Sequence, residues 1–291
     1  MLESPDLLYA AGVATQSHQL MLRMQMRDGS ERDMAMVADA PDPNSTSVYS
    51  SDAYLPPRHI ADEGKDWAPL LRRDADMPQF LRQYDKPFHT AWWPEQHMHY
   101  VQFRSNMDEP GHPIAAFTER VEREILANNP RFIVLDLRLN QGGDLTKTAS
   151  LMKRLAKLSD SIKHVYVLTS AWTFSAGNVS LALVNQHGGN KVTVIGEPAG
   201  DRVRIWAEGG SFELPNSKIR VGYATGLHDY SQPCWRERGC YWVALFFPKH
   251  VQSFDPDVRV PYTFDDYILL RDPMLEKALA LASAWGQIKS R

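Results

Sequence analysis

Two short stretches of this chain carry residue types that suit acyl-transfer chemistry. The first runs from Arg131 to Gly143, where Phe132, Ile133, Val134, Leu135 and Leu137 read as a strand buried on both faces. It ends in Asp136, Arg138 and Asn140, and then in Gly142-Gly143 just before a helical pattern. A strand that runs through a glycine turn into a helix N-terminus gathers free backbone N–H groups at one point, which suits an anion or a developing oxyanion. The second stretch is Thr173-Phe174-Ser175-Ala176-Gly177, which offers a nucleophile in Ser175. The Gly142, Gly143 and Ala176 amides are the expected donors to an oxyanion. A serine before a helix is also a common N-cap, and that second role for Ser175 stays open at this point.

Such residues need a scaffold, and the texture of the chain supplies one. The predicted order is a strand at 100–104, an amphipathic helix at 113–128 with Ile114, Phe117, Val121 and Ile125 on one face, and the strand at 131–137. A helix at about 144–157, a strand at 164–169, a helix from Ser175 to Gly188-Gly189 and a strand at 191–196 follow. Repeated β-α-β units call for a mainly parallel sheet with right-handed crossovers. Upstream, the alternation of Leu20, Leu22, Met24 and Met26 with Met34 and Met36 about Asp28-Gly29 predicts a β-hairpin. Residues 39–65 read as a surface loop, with a short helix around Trp67 to Leu81. Segment 203–225 reads as antiparallel, and a last helix starts at Asp272-Pro273 with Leu275, Leu279 and Trp285. The expected division is 1–95, a hairpin region and linker, and 96–291, an α/β core.

Composition narrows the function classes. With 291 residues, 43% hydrophobic, 23% charged and a net charge of −3, the chain has the make-up of a globular domain and no basic footprint for nucleic acid. No stretch reaches the ~18 apolar residues of a membrane span; Val243 to Phe247 is only a short patch. No cofactor motif is found. Cys234 and Cys240 read either as a small disulfide loop, which would favour an exported location, or as two separate thiols.

The order of motifs also resembles a known family. Asp136-Leu137-Arg138-x-Asn140-x-Gly142-Gly143, Thr173-Phe174-Ser175-Ala176, Val194 to Asp201 (Val-Ile-Gly-Glu-Pro-Ala-Gly-Asp), Leu214-Pro215-Asn216-Ser217 and Asp255-Pro256-Asp257-Val258 … Asp266-Tyr267 … Asp272-Pro273 are similar to the tail-specific (C-terminal processing) serine proteases. That family includes the core of tricorn protease and the interphotoreceptor retinoid-binding proteins. The resemblance covers about residues 96–285. It implies a crotonase-like β/α core, Ser175 as nucleophile, and peptides or unfolded protein termini as substrates, with self-association left open.

The proton acceptor is less marked. The family lysine expected near Gly196 to Arg202 is absent, and Arg202 cannot replace it because a guanidinium keeps its proton. Counting back from Asp255, the tricorn-type glutamate position is taken by His250. The family's upstream histidine motif is not found around His18, His59 or His89, so a further N-terminal region is expected. His250 and His228 are the internal candidates for the base, with Lys218 and Lys249 behind them and Glu208 and Asp201 as site-lining carboxylates. His97 and His99 are a weaker metal pair. Two other readings stand beside the peptidase. One is a non-catalytic binding module with Trp206, Trp235 and Trp242 lining an apolar pocket. The other is crotonase-like acyl-CoA chemistry, supported by fold analogy alone.

Overall fold

The computed structural model describes residues 5–26, 28–38, 77–84, 86–216, 220–246 and 250–288. The whole of the expected loop at 39–65, which includes His59, lies outside them, as do Lys218, Lys249 and most of the helix sought at 67–81. From that last segment the structure gives only a single 3-10 turn, Gln79–Leu81. Contacts divide the chain into two compact units, 1–55 and 56–291.

The first unit holds α1 (Pro5–Ala10) and a hairpin of β1 (Gln19–Gln25) and β2 (Glu31–Val37). Gln19 pairs with Val37 and Gln25 with Glu31, as the alternation about Asp28-Gly29 requires. The exposed pair Arg23–Asp33 crosses the ribbon at 2.8 Å.

The second unit is built on a six-stranded sheet of order β10-β7-β6-β5-β4-β3. Its strands are β3 (Phe88–Trp93), β4 (Met98–Phe103), β5 (Phe132–Asp136), β6 (His164–Thr169), β7 (Val192–Gly196) and β10 (Val258–Arg259). All pair in parallel except β3, which runs antiparallel to β4. The result is a mixed α/β fold with a mostly parallel central sheet. The sheet takes in Phe88–Trp93, upstream of residue 96 where the core was expected to begin.

Period-2 alternation in β5 shows why that strand reads as apolar throughout. Ile133 and Leu135 join one core cluster with α2 (Ile114–Asn128), α3 (Leu145–Arg154) and α4 (Ala176–Gly188). Phe132 and Val134 join another with Tyr100, Tyr166, Leu168 and Ile195 beneath Met274, Leu275, Ala278 and Ala282 of α6 (Pro273–Ile288). A strand covered by helices on both faces has no polar side to show. The short α5 (Phe264–Ile268) precedes α6, and β8 (Arg204–Glu213) pairs with β9 (Arg220–Asp229) as a separate antiparallel ribbon. Among the described residues no helix is long and apolar enough to cross a membrane.

Candidate active site

The turns after β5 and β6 lie side by side and are stitched together by small polar side chains. Thr173 Oγ1 donates to Leu137 O at 2.8 Å, and Ser170 Oγ donates to Arg138 O at 2.6 Å. Phe174 N–H donates to Asn140 O at 2.9 Å. A third turn is pinned to the same place, since Gly200 N–H donates to Thr173 O at 2.9 Å. A Cβ on Gly200 would come within 2.0 Å of Ala171 O, so only glycine permits this approach.

Ser175 sits at the end of this assembly with φ 51° and ψ −120°. That conformation is rare for any residue with a Cβ and costs of order 1–3 kcal/mol, held only because the surroundings impose it. The serine occupies the N-cap position of α4, yet its side chain makes no capping hydrogen bond. The N-cap role that the sequence left open is therefore not what its hydroxyl does. Ser175 Oγ hydrogen-bonds to no group among the described residues, while its carbonyl accepts from Asn178 N–H at 2.9 Å.

The glycine pair is equally constrained, with φ +105° at Gly142 and +129° at Gly143. Gly142 lies directly against the serine, because a Cβ built on it would be 2.6 Å from Ser175 Cβ and 2.9 Å from Ala176 N. One expectation is corrected here. The Gly142 amide is already committed to Asn140 Oδ1 at 2.9 Å, so it is not an open donor. Among the described residues the Gly143 and Ala176 amides have no acceptor. Gly142→Ala is expected to lower stability by at least about 2 kcal/mol, through a strained φ and a clash with the serine turn. Thermal unfolding of the variant checks it; an unchanged midpoint would place Gly142 away from Ser175.

The Asp-Leu-Arg part of the motif does different work. Arg138 is 3% exposed and bonds Asp136 Oδ2 at 2.5 Å, with Asp272 Oδ1 at 2.6 Å and Oδ2 at 3.0 Å. Tyr100 donates to Asp136 at 2.7 Å, and the guanidinium lies over the Phe80 ring at 4.1 Å. Burial alone would raise the Asp136 carboxyl, but Arg138 beside it holds it below the usual carboxylate range. Asp272 also accepts from Leu275 N–H at the start of α6, so the network ties β5 to the last helix.

The two candidate bases differ in setting. His250 is exposed and makes no side-chain hydrogen bond or ion pair among the described residues. His228 is buried on β9, its Nε2 3.2 Å from Glu208 Oε1, with the Tyr241 ring stacked on it at 4.7 Å. The Asp201 carboxyl, one residue past the pinned Gly200, is raised by burial and senses the charge of His228. The Tyr241 hydroxyl is raised by burial and by the carboxylates of Glu208 and Asp144, the latter next to Gly143. Asp229, the sequence neighbour of His228, instead caps Ser231 and Gln232.

Other expected features resolve simply. Cys234 and Cys240 form a disulfide. Trp206, Trp235 and Trp242 are all more than half exposed. His97 ends a 3-10 turn in the left-handed conformation while His99 is buried on β4, and no metal-holding cluster occurs among the described residues. The stitching roles of Ser170, Thr173 and Asn140 escaped the sequence reading, since small polar residues in turns signal only a turn.

No family model matches the chain, and no curated protein matches it. Among solved structures it is similar to an S41 protease from Bacteroides fragilis, at 16% identity and TM-score 0.45 over 91% of this chain and 66% of that one. It is similar to the photosystem II D1 C-terminal processing protease at 14% identity and TM-score 0.36, over 56% and 42%. It is also similar to mature CPAF complexed with lactacystin, at 11% identity and TM-score 0.49 over 92% and 68%. The chain thus spans less than two thirds of the length of the first two structures. Likenesses this weak assign neither family nor activity.

Proposed function

We propose that the chain is a serine-type peptidase of the tail-specific or tricorn-core kind, acting on peptides or unfolded protein termini from a crotonase-like core. One observation carries the reading: Ser175 is held in a strained backbone conformation with an uncommitted hydroxyl, its turn packed directly against Gly142. Strain at a non-glycine residue between strand and helix is how a hydroxyl is presented to a substrate. In this reading Ser175 Oγ attacks the scissile carbonyl carbon and its proton passes to His228. The carbonyl oxygen, now negative, lies against the Gly143 and Ala176 N–H groups, each such donor being worth roughly 3 kcal/mol in the transition state. Collapse breaks the C–N bond, His228 returns the proton to the leaving amine, and water then hydrolyses the acyl-serine.

His228 is preferred over His250 because it is buried with Glu208 Oε1 3.2 Å from its Nε2, whereas His250 is exposed. Among the described residues no base hydrogen-bonds to Ser175 Oγ, so in this reading substrate binding has to bring one in or a water has to bridge. That same absence favours a second reading, a non-catalytic binding module with the exposed tryptophans as its ligand face. A fluorophosphonate probe is expected to label Ser175 in the wild-type chain and to leave Ser175→Ala unlabelled, with peptide cleavage followed by mass spectrometry lost in parallel. Labelling that persists in Ser175→Ala would sink the assignment. No labelling of the wild type, with saturable quenching of tryptophan fluorescence by a hydrophobic ligand, would support the binding module.

A further inference from the structure

Met107 lies against the glycine turn and is open to solvent at the same time. A Cβ built on Gly143 would come within 2.5 Å of Met107 Cγ and 3.0 Å of its Sδ, so the thioether rests on the bare Cα of that glycine. The residue is nevertheless 46% exposed. No other methionine of the second unit is open in this way, since Met77, Met98, Met152 and Met274 are at most 3% exposed. Met21, Met24, Met34 and Met36 are exposed as well, but they belong to the hairpin of the first unit.

The backbone on both sides of Met107 is fixed. Asn106 N–H donates to Gly142 O at 2.7 Å, and Asn106 O accepts from Asp144 N–H at 3.2 Å. The Asn106 side chain is anchored in turn, donating to Thr148 Oγ1 at 2.6 Å and to Ser180 Oγ at 3.1 Å. On the far side the Asp108 carboxylate accepts from Lys147 Nζ at 2.7 Å and from Ile114 N–H at 2.9 Å. Residue 107 is thus clipped to the turn, and a change in its side chain is passed to Gly143 rather than absorbed by a loose loop.

We infer that Met107 is a reversible oxidation site: its sulfoxide disturbs Gly143 and takes away the N–H that the peptidase reading above, on which this rests, assigns to the oxyanion. The co-reactant is a peroxide. A lone pair of Sδ attacks one oxygen of hydrogen peroxide, the S–O bond forms and the O–O bond breaks. The transferred oxygen gives its proton to the departing hydroxide, which leaves as water, and the sulfur loses the two electrons that the peroxide gains. An apolar thioether has become a polar group. It no longer suits the bare Cα of Gly143, and its oxygen is a hydrogen-bond acceptor. The Gly143 N–H has no acceptor of its own among the described residues. A donor drawn to the sulfoxide does not serve an oxyanion. Methionine sulfoxide reductase, supplied with a dithiol, removes the oxygen as water and restores the thioether.

Hydrogen peroxide is the probe, applied at one low dose to the full chain and to Met107→Leu, which keeps an apolar side chain of similar volume and has no sulfur to oxidise. Peptide mass spectrometry is expected to find one added oxygen on Met107 while the buried methionines of the same unit stay unmodified. The Gly143 amide resonance should shift. The rate of fluorophosphonate labelling at Ser175 should fall about a hundredfold, as when one oxyanion donor is removed. Met107→Leu should label at the untreated wild-type rate and keep that rate through the peroxide dose. Reductase and dithiol should bring the oxidised wild type back. An unmodified Met107, or an equal loss in Met107→Leu, overturns the proposal. So does an unchanged rate once Met107 carries its oxygen, or a rate that stays low after the thioether has returned. Absence of labelling in the untreated chain, or labelling that survives Ser175→Ala, overturns the peptidase reading instead. Oxygen on Met107 with a shifted Gly143 amide would then still establish the oxidation site by itself.

Discussion

Arg138→Ala is expected to destabilise the protein by about 3–5 kcal/mol, read as a lower midpoint of urea unfolding at an unchanged slope. The guanidinium stands between two buried carboxylates, Asp136 and Asp272, and its removal leaves both without their counter-charge. Against a total stability of 5–15 kcal/mol for an ordinary domain, that is a large share. The pH dependence should change as well. In the wild type the Asp136 carboxyl is depressed below its ordinary value near 4, so its contribution is full above that value and is lost as pH falls through the depressed one. Without the guanidinium only the Tyr100 hydroxyl and the backbone N–H of residue 138 are left to oppose burial, and the same carboxyl should rise above its ordinary value. The variant should then gain stability, relative to wild type, as the medium is acidified. A variant as stable as wild type at neutral pH would show that the network carries no net energy.

Ser175→Gly is expected to separate activity from stability. Glycine adopts φ 51°, ψ −120° without strain, so relief of the backbone should yield roughly 1 kcal/mol even after the entropy a glycine adds to the unfolded chain. Ser175→Ala keeps the strain and should be nearly neutral. Had the hydroxyl been a helix cap, the alanine variant would lose about 1 kcal/mol. Under the peptidase reading both variants lose hydrolysis by roughly a millionfold, so the glycine variant would be a more stable and inactive protein. Thermal unfolding of the pair decides this. Equal midpoints for glycine and alanine would mean that the turn stores no strain.

What the residues alone disclosed follows from how local each signal is. Strand and helix periods, the Asp28-Gly29 hairpin and the glycine turn are written in neighbouring residues, and they recur in the structure at nearly the expected bounds. Arg138 was visible as part of a motif, but its partner Asp272 lies 134 residues away and no local pattern announces it. The strand Phe88–Trp93 was missed because it closes the sheet by antiparallel pairing with β4, outside the β-α-β rhythm. At the candidate site the serine and glycines were legible as types. The capture of the Gly142 amide by Asn140 was not, since a single hydrogen bond redirects a donor without changing the sequence around it. Glu208 was seen as a carboxylate near the site, while its contact with His228 depends on a backbone dihedral that glutamate rarely adopts.

The tie between Arg138 and Asp272 also orders events during synthesis on the ribosome. Strands β4 to β7 are complete once residue 196 has been added, yet one face of their sheet stays uncovered. Tyr100, Val134, Tyr166 and Leu168 wait for Met274, Leu275, Ala278 and Ala282, and Arg138 waits for its second carboxylate. At 5–20 residues per second the nascent chain therefore carries an open apolar face and a half-paired cation for several seconds. Such a half-covered intermediate is prone to stick to its neighbours until the last helix packs down.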